Sequence, residues 1–499
     1  MNENKTKFYR LLEMIPGFLS WNIILFLIWG SFLVPRLVAY FVIAFLIYWF
    51  YQSAKSAILG IKGFLKINQT KRIDWRKKYQ EEKKSDWLDW DEIKHVIVIP
   101  NYDESVKTIS KNLQSLASQN NINPKEKMIV VLAMEQRAKD HKERADELIA
   151  KFENKFLQLF ATYHPPDIPG EIKGKASNEA WAAKQTKKEL FEKQKNDISK
   201  FTITSCDADA KFNPNYFADL TYKFAKSTKR YHQFWQAPIF WHNNLNQVPS
   251  PVRIVGIISN IIYLSHLQEP DGLFFNYSAY SLSFQLLDKV GYWDTDIIPE
   301  DWHIFLQSFF NTKGKVSVSP IFAPVSIDAP EGKNYWDALK NRYLQCQRHA
   351  WGATDIPYAI TKALKDNQIP FLVKWLRVYK LIQTHLLWAT NWFILTLGAS
   401  LPPLLNPKFF QTSLGYNLPK FSQIILTICL ISLAITIILD WKLQPQKDKA
   451  LSFGQKVIYL VQWLLMPVAT LFMSVLPGLD AQTKLLFGKR LEYWVTKKY

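Results

Sequence analysis

FTITSCDAD, residues 201–209, decides how this chain of 499 residues is read. Phe201–Ser205 is a short run of buried-strand character. It ends in Cys206-Asp207-Ala208-Asp209, and Asn213-Pro214-Asn215 then opens a helix. Two carboxylates one residue apart at a strand end suit one divalent cation, because hard oxygen ligands hold it while leaving positions for phosphate oxygens. That chemistry fits a nucleoside diphosphate that is bound and later released as a leaving group. Taken alone, Asp-X-Asp is equally what a strand exit presents when it caps the next helix.

Upstream, residues 95–100 (HVIVIP) and 128–133 (MIVVLA) are β-branched runs, each followed by a charged helical stretch, 105–118 and 136–160. In the second stretch Leu148, Ile149, Phe152, Phe156, Leu159 and Phe160 form one apolar helical face. The pattern is β-α-β-α leading into a third strand. Ligands of open α/β sheets bind outside the carboxyl ends of the strands, which brings Pro100–Glu104, Glu135 and Asp207–Asp209 together. The loop 163–178 (YHPPDIPGEIKGKASN) holds too much Pro and Gly for a helix, and a helix begins at Ser177 or Asn178. Lys173, Gly174 and Lys175 at that entrance offer ammonium and N–H groups to phosphate, or form a plain solvated turn.

Downstream lie Ile298-Pro299-Glu300-Asp301-Trp302 and Gln345-Cys346-Gln347-Arg348-His349-Ala350-Trp351-Gly352. Acidic residues at a helix start are favoured by the helix dipole; the sharper reading is a general base facing a sugar acceptor. The second segment puts an amide, a guanidinium and an indole on an amphipathic helix, which also suits a membrane surface with a snorkelling Arg.

Charge-free runs flank this region. No charge lies between Glu13 and Arg36 or between Arg36 and Lys55, and runs 381–407, 421–439 and 457–479 follow near the other end. Each approaches or reaches the roughly 20 residues that cross a bilayer. The first is too long for a signal peptide and lacks a small-residue cleavage site. Pro467 can break the last run, so four and five spans both remain open. Lys+Arg number 62 against Asp+Glu 43, and the span flanks carry Lys5, Lys7, Arg10, Lys55, Lys62, Lys66, Lys442, Lys447, Lys449 and Lys456. Positive flanks place the soluble part in the cytoplasm, beneath a multi-pass anchor in the cell membrane. The C-terminal tail, with Lys484, Lys489, Arg490, Lys497 and Lys498 against Asp480 and Glu492, is basic too. Because the surplus is spread over flanks and mixed with Glu, no nucleic-acid partner is expected. Cys206, Cys346 and Cys429 are far apart, which suggests neither a disulfide framework nor a zinc site and fits a reducing compartment.

The order Pro100-Asn101-Tyr102-Asp103-Glu104, Gly174-Lys175-Ala176, Asp207-Ala208-Asp209, Pro299-Glu300-Asp301 and Gln345-X-X-Arg348 between hydrophobic termini resembles the integral-membrane family 2 glycosyltransferases, the cellulose-, chitin- and hyaluronan-synthase-like proteins. The resemblance runs from about Val96 to the last hydrophobic segment. It implies an α/β GT-A (Rossmann-like) catalytic domain flanked by transmembrane helices, and inverting transfer from a nucleotide-sugar donor, UDP-linked, to a glycan or lipid-linked acceptor. On that likeness Asp103, Glu104, Glu135 and Lys175 serve the nucleotide, while Asp207 and Asp209 bind donor and a cation, Mg2+ or Mn2+. Asp301 is the base, with Glu300 beside it, and Gln345, Arg348 and Trp351 hold the diphosphate and acceptor. Two departures bear on what carries over: the second strand of many relatives ends in an acidic nucleotide-binding residue where this chain has Ala133-Met134-Glu135-Gln136-Arg137, so that Glu135 is a substitute, and His349 replaces the Trp that follows the Arg in processive relatives. Single transfer and polymer synthesis coupled to translocation both stay open.

The expected organisation is an N-terminal transmembrane hairpin (1–60), a basic linker (61–94), the GT-A domain (95–335), interfacial helices with the Gln-X-X-Arg motif (336–378), and a C-terminal transmembrane region with a basic tail (379–499). A non-catalytic scaffold of the same shape would not need both Asp207 and Asp301. A transporter would need more polar residues in its spans than Gln383, His385, Asn391, Gln423 and Gln462.

Overall fold

The structure, a computed structural model, describes residues 7–445 and 452–491. The expectations placed on Lys5, Lys447, Lys449, Glu492, Lys497 and Lys498 concern residues outside those bounds. Strands β1 (Lys94–Asn101), β2 (Met128–Glu135), β3 (Gln158–His164) and β4 (Phe201–Ser205) run parallel. The short pair β5 (Lys211–Phe212) and β7 (Ile239–Phe240) flanks β10 (Val325–Ser326) in a separate three-stranded sheet. The strands β6 (Gln233–Gln236), β8 (Tyr280–Ser283) and β9 (Ser317–Pro320) complete the main sheet, whose order is β3-β2-β1-β4-β8-β6-β9. β8 pairs antiparallel with both β4 and β6, which makes the sheet mixed.

The pleat explains the burial. Val96 and Val98 of β1, with Ile129, Val131 and Ala133 of β2, enter one apolar cluster. Ile97 and Ile99, with Val130, Leu132 and Met134, enter the other. Helices cover both faces, so these central strands read as continuous apolar runs rather than alternating ones.

Three expectations change. The stretch 136–160 is not one helix: the helix spans His141–Phe152, and β3 follows it at the sheet edge. Asn154 takes a left-handed φ of 64° and ends the helix. Beyond it Leu159 and Ala161 pack on one face and Phe160 on the other, a period of two that a helix cannot satisfy. The helix expected at Ser177 or Asn178 begins at Lys175.

The third change concerns the run 381–407. Its helix, Phe371–Leu397, starts earlier and carries Lys374, Arg377 and Lys380, and two short helices follow at Leu401–Leu405 and Pro407–Phe410. Among the described residues four helices are long and apolar enough to cross a membrane: Lys7–Leu33, Pro35–Thr70, Ser413–Leu443 and Phe453–Leu486. The last is interrupted by a 3-10 turn at Gln462–Leu465, just ahead of Pro467. These helices leave Phe18, Leu25, Phe32, Ile424, Ile431 and Leu464 exposed.

Buried polar links fix the sheet domain to these helices. Asp440, at the end of the Ser413–Leu443 helix, faces His242 Nε2 at 2.9 Å and accepts from Asn260 Nδ2 at 2.8 Å and Gln444 Nε2 at 2.8 Å. The Gln-X-X-Arg helix, Tyr335–Ala350, lies against Leu476–Leu486, where Gln347 and Tyr343 both donate to Asp480. It is therefore packed on protein along this side, with Tyr335 and Trp336 exposed at its first turn.

Candidate active site

β1 lies between β2 and β4, so the chain reverses direction across the sheet there, and the carboxyl ends of β1 and β4 are where an open α/β sheet forms its ligand crevice. Cys206–Asp209 leaves β4 into this crevice. Three other segments meet it: the start of the Lys175–Lys187 helix, the start of the Glu300–Asn311 helix, and residues 274–279 before β8.

Lys175 stands at the centre. Its Nζ lies 2.8 Å from Glu300 Oε1, 3.4 Å from Asp207 Oδ1, 3.8 Å from Asp301 Oδ1 and 3.9 Å from Glu179 Oε1. Four carboxylates around one ammonium leave excess negative charge in a desolvated site, and the titration of each group reflects that. Burial alone would lower Lys175, but Glu179, Glu300, Asp207 and Asp301 outweigh it and hold the ammonium well above the usual lysine value. Burial raises Glu179 to about 8, although Lys175 opposes it. Within the adjacent acidic pair, burial raises both, yet Lys175 brings Glu300 below its usual value, while burial and the Glu300 charge drive Asp301 well above its own.

Asp301 is the more open of the two, with its side chain 26% exposed against 9% for Glu300. Its Oδ2 accepts the Ser278 backbone N–H at 2.7 Å, and its backbone carbonyl accepts Asn276 Nδ2 at 2.7 Å. Asp207 Oδ2 accepts Ser278 Oγ at 3.0 Å. Asp209 is buried, only 3% exposed, and its Oδ2 accepts the Asp328 backbone N–H at 2.8 Å. Among the described residues no three His, Cys, Asp or Glu side chains group as a ready-made metal cage. A cation that also binds diphosphate oxygens needs only one or two protein carboxylates, and Asp207, partly open at 32%, meets that requirement.

The Gln-X-X-Arg segment closes one side. Gln345 is buried and its Oε1 accepts Arg342 Nη1 at 3.0 Å, while Arg348 is half-buried one turn further on. Trp351 is buried in the main apolar cluster, and a side chain at Gly352 would come within 4.0 Å of Pro299, next to Glu300.

The nucleotide candidates from β1 and β2 form a second, neighbouring group. Asp103 is exposed, whereas Glu104 Oε2 accepts the backbone N–H groups of Tyr102 and Asp103 at 2.9 and 3.2 Å. Arg144, which sequence reasoning missed, is buried and ties this loop down through Asn101 Oδ1, Glu104 O and Tyr102 O at 2.6–2.7 Å. Glu135 faces inward, held by Arg137 at 2.7 Å and His164 at 3.0 Å, and His164 continues to Glu171 at 2.9 Å. Burial raises Glu135, but His164 and Arg137 bring it below its usual value. The Arg137 guanidinium also covers the Tyr102 ring at 5.2 Å, beside a cavity of about 210 Å3 lined by Arg137, His164, Glu171 and Lys173.

Glu179, Ser278 and His303 were also missed. Glu179 had a signal, since it lies one helical turn after Lys175. His303, two residues past Asp301, bridges Asp355 Oδ1 at 2.6 Å and Asp294 Oδ2 at 2.9 Å. Burial would lower its pKa, but these carboxylates push it up to about 10, so an imidazolium pins the acid-bearing helix to Asp355–Lys365.

No protein-family model matches the sequence, nor does any curated protein. Among solved structures, the chain is similar to mannosyltransferase PcManGT from Pyrobaculum calidifontis in complex with GDP-Man and Mn2+, at 13% identity, covering 88% of this chain and 99% of that one, with a TM-score of 0.42. It is also similar to a fragment of S. aureus TarS in complex with UDP-GlcNAc, at 14% identity over 80% of this chain and 93% of that one, TM-score 0.38. GalNAc-T7 with UDP, GalNAc and Mn2+ matches at 12% identity over 59% and 58% of the two chains, TM-score 0.34. These scores are all below 0.5, and the reading of function is carried by the chain's own residues.

Proposed function

We propose that this chain is a membrane-embedded inverting glycosyltransferase of GT-A type, moving a sugar from a nucleotide-sugar donor to a glycan or lipid-linked acceptor at the cytoplasmic membrane face. The observation that carries it is the meeting of Lys175, Asp207, Glu300 and Asp301, from three distant segments, in the crevice at the sheet's switch point. Asp207 offers a cation ligand for the leaving diphosphate and Asp301 a base for the attacking hydroxyl, the two groups that in-line displacement uses.

In this reading Asp301, ionised, takes the proton of the acceptor hydroxyl. The freed oxygen lone pair attacks the anomeric carbon from the face opposite the diphosphate, and the carbon–oxygen bond to the diphosphate breaks with inversion. Mg2+ or Mn2+, held by Asp207 with Asp209 bracing the same turn, would supply charge stabilisation to the departing diphosphate. Lys175 and Arg348 add positive charge on that side, Gln345 and Trp351 shape it, and Glu300 keeps Lys175 in place. Asp103, Glu104 and Glu135 set the nucleotide end, together with Arg137 and Tyr102. The likeness to the family 2 synthases favours a UDP-linked donor. Four apolar helices with exposed Leu, Ile and Phe side chains support a multi-pass anchor, and Lys55, Lys62 and Lys66 support a cytoplasmic catalytic domain.

Purified protein in lipid, incubated with a panel of UDP-, GDP- and other nucleotide sugars plus Mn2+, should release nucleotide from one donor class and yield a product heavier by one or more sugars. Absence of nucleotide release across the panel, with intact folded protein, would overturn the proposal.

A further inference from the structure

Ser278 adopts a left-handed backbone, φ 55°, which a residue other than glycine rarely does. All three of its polar groups point into the carboxylate cluster. Its N–H donates to Asp301 Oδ2 at 2.7 Å, its Oγ donates to Asp207 Oδ2 at 3.0 Å, and its carbonyl accepts from Lys175 Nζ at 3.5 Å. The conformation is held from outside by Gln236, which is fully buried: its Oε1 accepts the Tyr277 N–H at 2.8 Å, and its Nε2 donates to the carbonyls of Tyr277 and Ala279, each at 3.1 Å. The Tyr277 ring stacks on Tyr263 with centroids 4.5 Å apart. A plain turn would be served at lower cost by Gly or Asn, neither of which carries a hydroxyl to Asp207. Strain that the surroundings over-determine marks a functional constraint.

We propose that Ser278 is a positioning residue that fixes the donor-side carboxylate Asp207 and the acceptor-side carboxylate Asp301 relative to each other. This inference rests on the transferase reading above. The N–H favours the ionised form of Asp301, which is the form that accepts a proton. The hydroxyl holds one oxygen of Asp207 and so sets the direction of the other. Were Ser278 to relax to an ordinary negative φ, its N–H would leave Asp301, and both effects would be lost together.

The test uses the full chain in lipid, with UDP plus Mn2+ as the binding probe. Ser278→Ala keeps the N–H and loses the hydroxyl: affinity for UDP with Mn2+ should fall about tenfold, the scale of a hydrogen bond to a charged group, while the acid limb of kcat stays in place. Ser278→Val resists positive φ and withdraws the N–H, so the acid limb should move to higher pH as the ionised carboxylate loses a donor. A purely structural role would lower thermal stability and move neither reading. Should Ser278→Val fail to fold, Ser278→Gly decides: it relieves strain, lacks the hydroxyl, and should bind UDP with Mn2+ as weakly as Ser278→Ala. Wild-type affinity in Ser278→Ala or Ser278→Gly, or an unmoved acid limb in a folded Ser278→Val, overturns the inference alone. A wild-type protein that neither binds nucleotide nor transfers sugar overturns the transferase reading and this inference with it.

Discussion

Lys175→Met removes the ammonium around which Glu179, Asp207, Glu300 and Asp301 are arranged, at little cost in volume. Breaking a buried ion pair by deleting one partner typically costs about 3–5 kcal/mol, because the remaining charge is desolvated without compensation. Lys175 is only 12% exposed in its side chain and Glu300 only 9%, so solvent screens this loss poorly. Protons are the one substitute the variant has. With the ammonium gone, the acids titrate at higher pH, and at low pH they are neutral and the penalty is small. The loss should therefore be largest near about pH 8.5 and shrink towards about pH 5.5, the window set by acids already raised, Glu179 to about 8 and Asp301 well above its usual value. For a domain of this size roughly 2–4 °C of Tm accompany each kcal/mol, so thermal unfolding of the purified protein at several pH values resolves the effect. A loss equal at both ends of the range would refute the idea that charge compensation, rather than packing, is what Lys175 supplies.

Mn2+ binding with UDP should release protons and tighten as pH rises from about 6 to about 8, because added positive charge draws protons off Glu179 and Asp301; calorimetry in buffers of different ionisation enthalpy would show this, and a pH-independent affinity would count against it. Arg348→Lys should weaken donor use markedly, since an ammonium cannot reproduce the bidentate fork of a guanidinium; steady-state KM for the donor checks it, and wild-type kinetics would return this segment to a packing role. His303→Gln should lower stability by about 2 kcal/mol at neutral pH, as it removes hydrogen bonds between charged groups. The folded His303 pKa of about 10 lies above its usual value, so its contribution is complete below about pH 6.5 and is lost as pH rises through about 10. The difference from wild type in thermal unfolding should close over that window.

The central strands were legible because both faces of β1 and β2 are buried, which leaves a continuous apolar signature in sequence. β3 was not, since an edge strand with half-buried side chains offers Leu159 and Phe160 to either a helical or an extended reading, and only pairing with β2 decides between them. The run 381–407 shows a related limit: absence of charge marks a hydrophobic stretch but not where its helix begins, and the helix start at Phe371 brings in three basic residues. In the candidate site, Lys175, Asp207, Glu300 and Asp301 announced themselves as charged residues beside strand ends and helix starts. Ser278 and Arg144 did not, because a backbone N–H donor in a left-handed turn and an arginine bonded to main-chain carbonyls are products of tertiary placement with no local pattern. Asp209 adds a contact that its spacing from Asp207 does not announce, since its Oδ2 accepts the Asp328 amide.

The most direct test is Asp301→Asn, which keeps shape and hydrogen-bonding capacity while removing the base. With a donor identified, transfer should fall by roughly 10²–10⁴-fold while binding of UDP with Mn2+ stays within a small factor of wild type. Undiminished turnover in a folded Asp301→Asn protein would contradict the assignment of proton abstraction to this residue, and loss of nucleotide binding would move Asp301 into the donor site.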